Sequence, residues 1–230
     1  MIIDERQEKA FWDAIEVFRS VGALPHIMII GSWAEYLYTY YYVEGYRPNV
    51  RTRDVDCFYP NIGKPEEKIH ISKAFKERGF EYQEDTLTHV GRFIKENLLE
   101  ISFLSRTVGA QQNGPRKIKA FQIYSEGIRD VNILEKYPMH ILAKDYEIVV
   151  PEPAVFIIQK LLAYPKRKPD YKKEKDIVAI NELLPFVIES DQKERLLDIF
   201  NWLSDKEKKR ILGICEERNI RVLIELLNRI

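Results

Sequence analysis

At Pro151-Glu152-Pro153 the periodicity of this 230-residue chain changes, and that change limits the folds open to it. Upstream, helical and strand patterns are interleaved. Downstream, apolar residues recur only at helical spacing, enough for four or five helices and no strand. The order is α/β first and all-α second, which predicts an α+β protein divided at 1–150 and 151–230. A chain of this length fits one large domain or two small ones. Its 45% apolar and 31% charged residues suffice to bury a core.

Residues 4–21 read as an amphipathic helix on Phe11, Ile15 and Phe18, ended by Gly22 and Pro25. The apolar run 26–30 reads as a buried strand stopping at Gly31. Ser32 has the chemistry of an N-cap for the tyrosine-rich helix that follows, to about Val43. A loop covers 44–53. Asp54-Val55-Asp56-Cys57-Phe58-Tyr59 alternates as a strand does, so Asp54, Asp56 and Phe58 share one face and Cys57 lies on the other. A turn at 60–63, a helix over 65–78 and strands near 80–84, 88–95 and 98–105 follow. In the last of these Glu100 and Ser102 share a face. A loop over 107–117 and short strands to about 149 complete the first part. In the helical part Ser204-x-x-Glu207 is a capping box and Asp191-x-x-Glu194 resembles one.

The 36 basic and 36 acidic residues exclude a strongly basic nucleic-acid coat. A local patch remains: residues 166–175 hold six basic and two acidic side chains. Cys57 and Cys215 are too few for a disulfide framework or a thiolate zinc site. His26, His70, His89 and His140 show no metal spacing. No apolar run approaches about 18 residues, so no membrane span is expected. Met1-Ile2-Ile3-Asp4 lacks a signal peptide's basic start, and a cytoplasmic location is expected.

Three pieces carry chemistry. Gly31-Ser32 falls at a strand-to-helix junction, where free backbone N–H groups and the helix dipole suit a phosphate. Asp54 and Asp56 point the same way from one strand, and two such charges call for a cation, naturally magnesium with its preference for oxygen ligands. Glu100, isolated in an apolar strand, is a third carboxylate able to complete a two-metal site. Alternation alone would also explain Glu100 as an outward-facing polar residue.

In this order the pieces resemble the polymerase-β-type nucleotidyltransferase superfamily: a glycine-serine turn, a paired-carboxylate strand and a third carboxylate strand. Arg51-Thr52-Arg53-Asp54-Val55-Asp56 is similar, more specifically, to the branch holding the abortive-infection toxins of type IV toxin–antitoxin systems. That branch carries a lysine-leucine helix, a basic stretch and a charged-Asp helix. Here these are Gln159-Lys160-Leu161-Leu162-Ala163, Lys166-Arg167-Lys168 and Lys175-Asp176-Ile177.

The resemblance implies a mixed-sheet core and a helical region closing over the nucleotide. It implies two Mg²⁺ on Asp54, Asp56 and Glu100, with Glu100 helping to deprotonate the acceptor. Gly31 and Ser32 would hold the NTP phosphates, and Arg53, Lys160, Lys175 and Asp176 would complete the nucleotide site. The acceptor would be the tRNA 3′ end, a protein or a small molecule, and a toxin would have a cognate antitoxin. A non-catalytic NTP-binding module is the alternative of a different class. Lys160 falls off the stripe Val155, Ile158, Leu162 and equally suits a solvated position, as Lys175 and Asp176 suit helix-surface pairs.

Overall fold

The computed structural model describes residues 4–50, 52–60, 68–107, 115–128 and 131–228. Helix α1 (Glu5–Ser20) begins where the Asp4 carboxylate accepts from the backbone N–H of Arg6 at 2.8 Å, and it buries Phe11, Ile15 and Phe18. A 3-10 turn at Leu24–His26, set by Pro25, takes the place of the first residues of the expected strand, so β1 is only Met28–Ile30. Helix α2 (Ser32–Tyr41) then starts directly. Its N-cap is Gly31, at φ 67 and ψ −148, not Ser32, which is the first helical residue. That positive φ is open to glycine and strained for serine.

The α/β part continues through β2 (Asp54–Tyr59), α3 (Ile71–Glu77), β3 (Glu81–Glu84), β4 (Gly91–Lys95), β5 (Leu99–Arg106), β6 (Arg116–Ile118) and β7 (Ile123–Ile128). A short helix not foreseen from sequence, α4 (Asn132–Lys136), precedes the separate hairpin β8 (Pro138–Ala143) and β9 (Tyr146–Pro151). Of the earlier expectations, turn residues 61–63, helix residues 65–67 and loop residues 108–114 lie outside the described residues.

The sheet runs β1-β2-β5-β4-β3, with β7 also on β5 and β6 on β7. It is mixed: β2 and β7 pair with β5 in parallel, and β1–β2 and β4–β5 are antiparallel. One face is apolar. Val55, Cys57, Phe93, Ile101 and Phe103 are buried there. Phe18 of α1 meets Phe103, and Phe75 of α3 stacks on Phe93 at 4.5 Å. The opposite face carries Asp54, Asp56, Glu100 and Ser102, as register requires.

After Pro151 every described element is helical: α5 (Pro153–Ala163), a 3-10 turn Tyr164–Lys166, α6 (Asp170–Ile188), α7 (Gln192–Trp202), α8 (Asp205–Glu217) and α9 (Arg221–Leu227). Packed by α6, α7 and α8, α5 is buried on nearly every side. The Ser204–Glu207 capping box forms. Asp191 is the N-cap residue of α7 but makes no side-chain capping bond; its carboxylate accepts from the Tyr41 hydroxyl at 3.0 Å instead. Core packing is continuous from sheet to helices, and the Tyr38 hydroxyl donates to the Pro151 carbonyl at 2.8 Å. Among the described residues no helix is long and apolar enough to cross a membrane.

Candidate active site

Strand β1 delivers Gly31 to the carboxylate face. Ile30 is paired with Asp56, so the next residue turns over the Asp56 side chain. A Cβ built on Gly31 would lie 3.0 Å from Asp56 Oδ2. Glycine is therefore demanded twice, by its φ and by the close approach. Asp54 is exposed at the start of β2, and its backbone N–H donates to Thr52 Oγ1 at 3.1 Å. Asp56 is partly buried. Burial, then the charge of Asp54, pushes its carboxyl up to about 6, and Glu126 adds to this while Arg167 and Lys172 oppose it. Two carboxylates on one strand face form an oxygen donor set suited to a hard divalent cation.

Glu100 lies beside Asp54 in the parallel β2–β5 register, on the same face. Its carboxylate is engaged: Arg92 Nη1 donates to Glu100 Oε1 at 2.6 Å. Among the described residues no three His, Cys, Asp or Glu side chains converge on one metal position. The structure thus brings Asp56 under Gly31, sets Asp54 on the same strand face, and places Glu100 alongside Asp54 but held by an arginine. The three-carboxylate cluster expected from sequence is not closed here.

The helical part presents a buried ion-pair relay. Lys160 is 7% exposed, not solvated, because α5 has neighbours on the side that sequence periodicity left open. Its Nζ donates to Asp176 Oδ1 at 2.6 Å. Asp176, 2% exposed, also accepts from Arg167 Nε at 2.8 Å and Nη2 at 3.4 Å. Burial alone would raise the Asp176 carboxyl; Lys160 and Arg167 outweigh it and hold the group below its ordinary value. Burial and the nearby Lys160 charge depress the Lys175 ammonium, against the pull of Glu35, Asp54 and Asp176. Lys160, Lys175 and Asp176 are thus gathered on the helical side, with Arg167 and Lys175 close enough for their charges to bear on Asp56 and Asp54. Arg53 is placed elsewhere. It lines a cavity of about 450 Å³ with Arg6, Gln7, Glu96 and Asn97, and its Nη1 reaches the Asn97 carbonyl at 3.5 Å.

Sequence reasoning missed Glu35, Arg92 and the individual role of Arg167. Glu35 is 4% exposed, and burial pushes its carboxyl up to about 7. Nothing in the aromatic pattern of α2 marks it. Arg92 had a signal: it shares the alternation of β4, so it could have been set against Glu100 once the strands were paired.

A search of curated proteins finds no match. Among solved structures the chain is similar to an antigenic nucleotidyltransferase-like protein from Paracoccidioides brasiliensis, with TM-score 0.58 and 15% identity over 95% of this chain and 91% of that one. This likeness shows a shared fold. ANT(2'')-Ia in complex with adenylyl-2''-tobramycin matches with TM-score 0.45 and 10% identity, covering 79% of this chain and 90% of that one. The solution structure of the antibiotic-resistance factor ANT(2'')-Ia matches with TM-score 0.44 and 10% identity, covering 95% and 96%. A family model described as Nucleotidyltransferase matches residues 10–201, from within α1 to the end of α7 and across every residue of the site. The chain belongs to that nucleotidyltransferase family.

Proposed function

We propose that this chain transfers a nucleotide from an NTP to an acceptor hydroxyl with release of pyrophosphate, using Mg²⁺ held by Asp54 and Asp56. One observation carries the reading: the missing Cβ of Gly31 would lie 3.0 Å from Asp56 Oδ2, which supports taking the phosphate-suited turn and the carboxylate strand as one site. The all-oxygen donor set fits a hard cation. Bound there, Mg²⁺ would neutralise phosphate charge and favour ionisation of the attacking hydroxyl.

The protein's own groups do the rest. The first free N–H groups of α2 and the Ser32 hydroxyl hold the β- and γ-phosphates. Lys160 and Asp176 fix Arg167 so that its cation faces the triphosphate, and Lys175 adds charge beside Asp54. Glu100, beside Asp54 in register, would join the metal and help take the proton of the acceptor hydroxyl. The new bond joins the acceptor oxygen to the α-phosphorus, the bond from that phosphorus to the bridging oxygen breaks, and pyrophosphate leaves. Positioning and charge neutralisation supply most of the acceleration. The helices from 151 onward close over the nucleotide, as a region distinct from the core of 1–150.

For the acceptor we take the tRNA 3′ end, in a toxin-like enzyme with a cognate antitoxin. The support is the resemblance of 51–56 and 159–177 to that branch, together with exposed Lys168 and half-buried Lys172 on the basic stretch; Arg167 and Lys173 are already paired with Asp176 and Asp170. The test is incubation with Mg²⁺, total tRNA and each α-labelled NTP, with Asp54→Ala/Asp56→Ala as control. Label on RNA with the wild type alone supports the proposal. Pyrophosphate release only with a protein or small-molecule acceptor overturns the tRNA assignment. NTP binding with no release under any acceptor overturns the enzyme reading in favour of a regulatory module.

A further inference from the structure

The carboxylate face also holds a cation that the mechanism above leaves unused. Strands β4 and β5 set Arg92 opposite Ser102, and Ser102 lies beside Asp56 of β2. Asp56, Ser102 and Arg92 thus form one row across three strands, and Asp54 and Glu100 form the next. From its row Arg92 reaches diagonally to Glu100, Nη1 to Oε1 at 2.6 Å. The two side chains are 48% and 29% exposed, so packing locks neither of them. With Glu100 held in this way, no third carboxylate joins the aspartate pair among the described residues.

We infer that Arg92 is a positioning residue that exchanges partners: it holds Glu100 while the site is empty, and binds a substrate phosphate once Glu100 turns to the metal. The inference rests on the proposed reading of Asp54 and Asp56. A metal-bound NTP brings both competitors at once, a cation for Glu100 and an anion for Arg92. The guanidinium fork fits phosphate as well as it fits carboxylate, so Arg92 loses nothing in the exchange. A half-exposed ion pair opens at little cost. The third carboxylate is consequently offered to metal and phosphate together, and free metal meets only the two aspartates.

The test is Mn²⁺ binding to the full chain without nucleotide, followed by electron paramagnetic resonance. Arg92→Gln is expected to bind Mn²⁺ about fivefold more tightly than wild type, the effect of removing one half-exposed competing pair. The gain should vanish in Arg92→Gln/Glu100→Gln. With Mn²⁺ and a non-hydrolysable NTP analogue present, Arg92→Gln should instead bind the nucleotide more weakly, a reversal that a purely structural role would not produce. Wild-type Mn²⁺ affinity in Arg92→Gln, with Asp54→Asn impaired, overturns the exchange while leaving the metal site intact. Wild-type affinity in Asp54→Asn itself overturns the metal reading and the exchange with it. Should Arg92→Gln fail to fold, Arg92→Lys keeps the charge and loses the fork; a smaller gain in Mn²⁺ affinity is expected, and no gain overturns the inference.

Discussion

At Gly31 two demands meet in one residue. The backbone sits at φ 67, and any Cβ there would crowd Asp56 Oδ2 at 3.0 Å. Gly31→Ala is expected to cost about 1–3 kcal/mol of stability through backbone strain. It should also lower transfer by about 100-fold or more, because it displaces the Asp56 carboxylate proposed to hold the metal. Thermal unfolding and steady-state kinetics on the one variant read both effects. Glu35 gives a second residue-scale test. Burial pushes its carboxyl up to about 7, with Lys160 and Lys175 pulling it down and Glu182 and Asp176 pushing it up. The folded protein therefore keeps that proton to higher pH than the unfolded chain, and stability falls as pH rises toward about 7, then levels. Glu35→Gln should be more stable than wild type by about 3 kcal/mol at about pH 8 and nearly equal at about pH 4, by urea titration. Asp54 and Asp56 were legible in sequence because strand alternation fixes which side chains share a face. Glu35 was not, since a helix's pattern does not reveal what will cover a polar position within it.

Among the elements, α5 and α6 hold the clearest divide between what is local and what is tertiary. The capping box at Ser204 depends on residues three apart and was readable in sequence. The burial of Lys160 depends on α6, α7 and α8 surrounding α5, and no local pattern contains that. The same reason separates Asp191, whose carboxylate bonds Tyr41 of a distant helix instead of capping its own, from Ser204. Lys160→Met strips one partner from Asp176, a carboxylate 2% exposed that Arg167 still holds, and should destabilise the protein by about 1.5–3 kcal/mol. Lys160→Met/Asp176→Leu removes the buried charges together and should recover most of that loss. Yet it should bind NTP weakly, because Arg167 has lost its anchor. Denaturant unfolding beside nucleotide titration separates the two roles.

For the molecule as a whole, the change of periodicity at Pro151 was enough to place a sheet before a helical region. Strand order was not legible, because the parallel pairing of β5 with β2 and with β7 joins segments that are not neighbours in sequence, whereas β4 and β5 form a local hairpin. That order is what lays Arg92 and Glu100 beside the aspartates. The net charge of zero leaves any nucleic-acid contact to a local patch. If tRNA is the acceptor, its binding should weaken steeply between low and physiological salt, and Lys168→Ala/Lys172→Ala should make that dependence shallower. Filter binding across a salt series measures both. The most direct test of the central claim is anomalous diffraction from crystals grown with Mn²⁺ and a non-hydrolysable NTP analogue. The expected result is a Mn²⁺ peak bridging Asp54 and Asp56 with the triphosphate on the Gly31-Ser32 turn. A nucleotide and metal bound elsewhere, with the two aspartates empty, would contradict it.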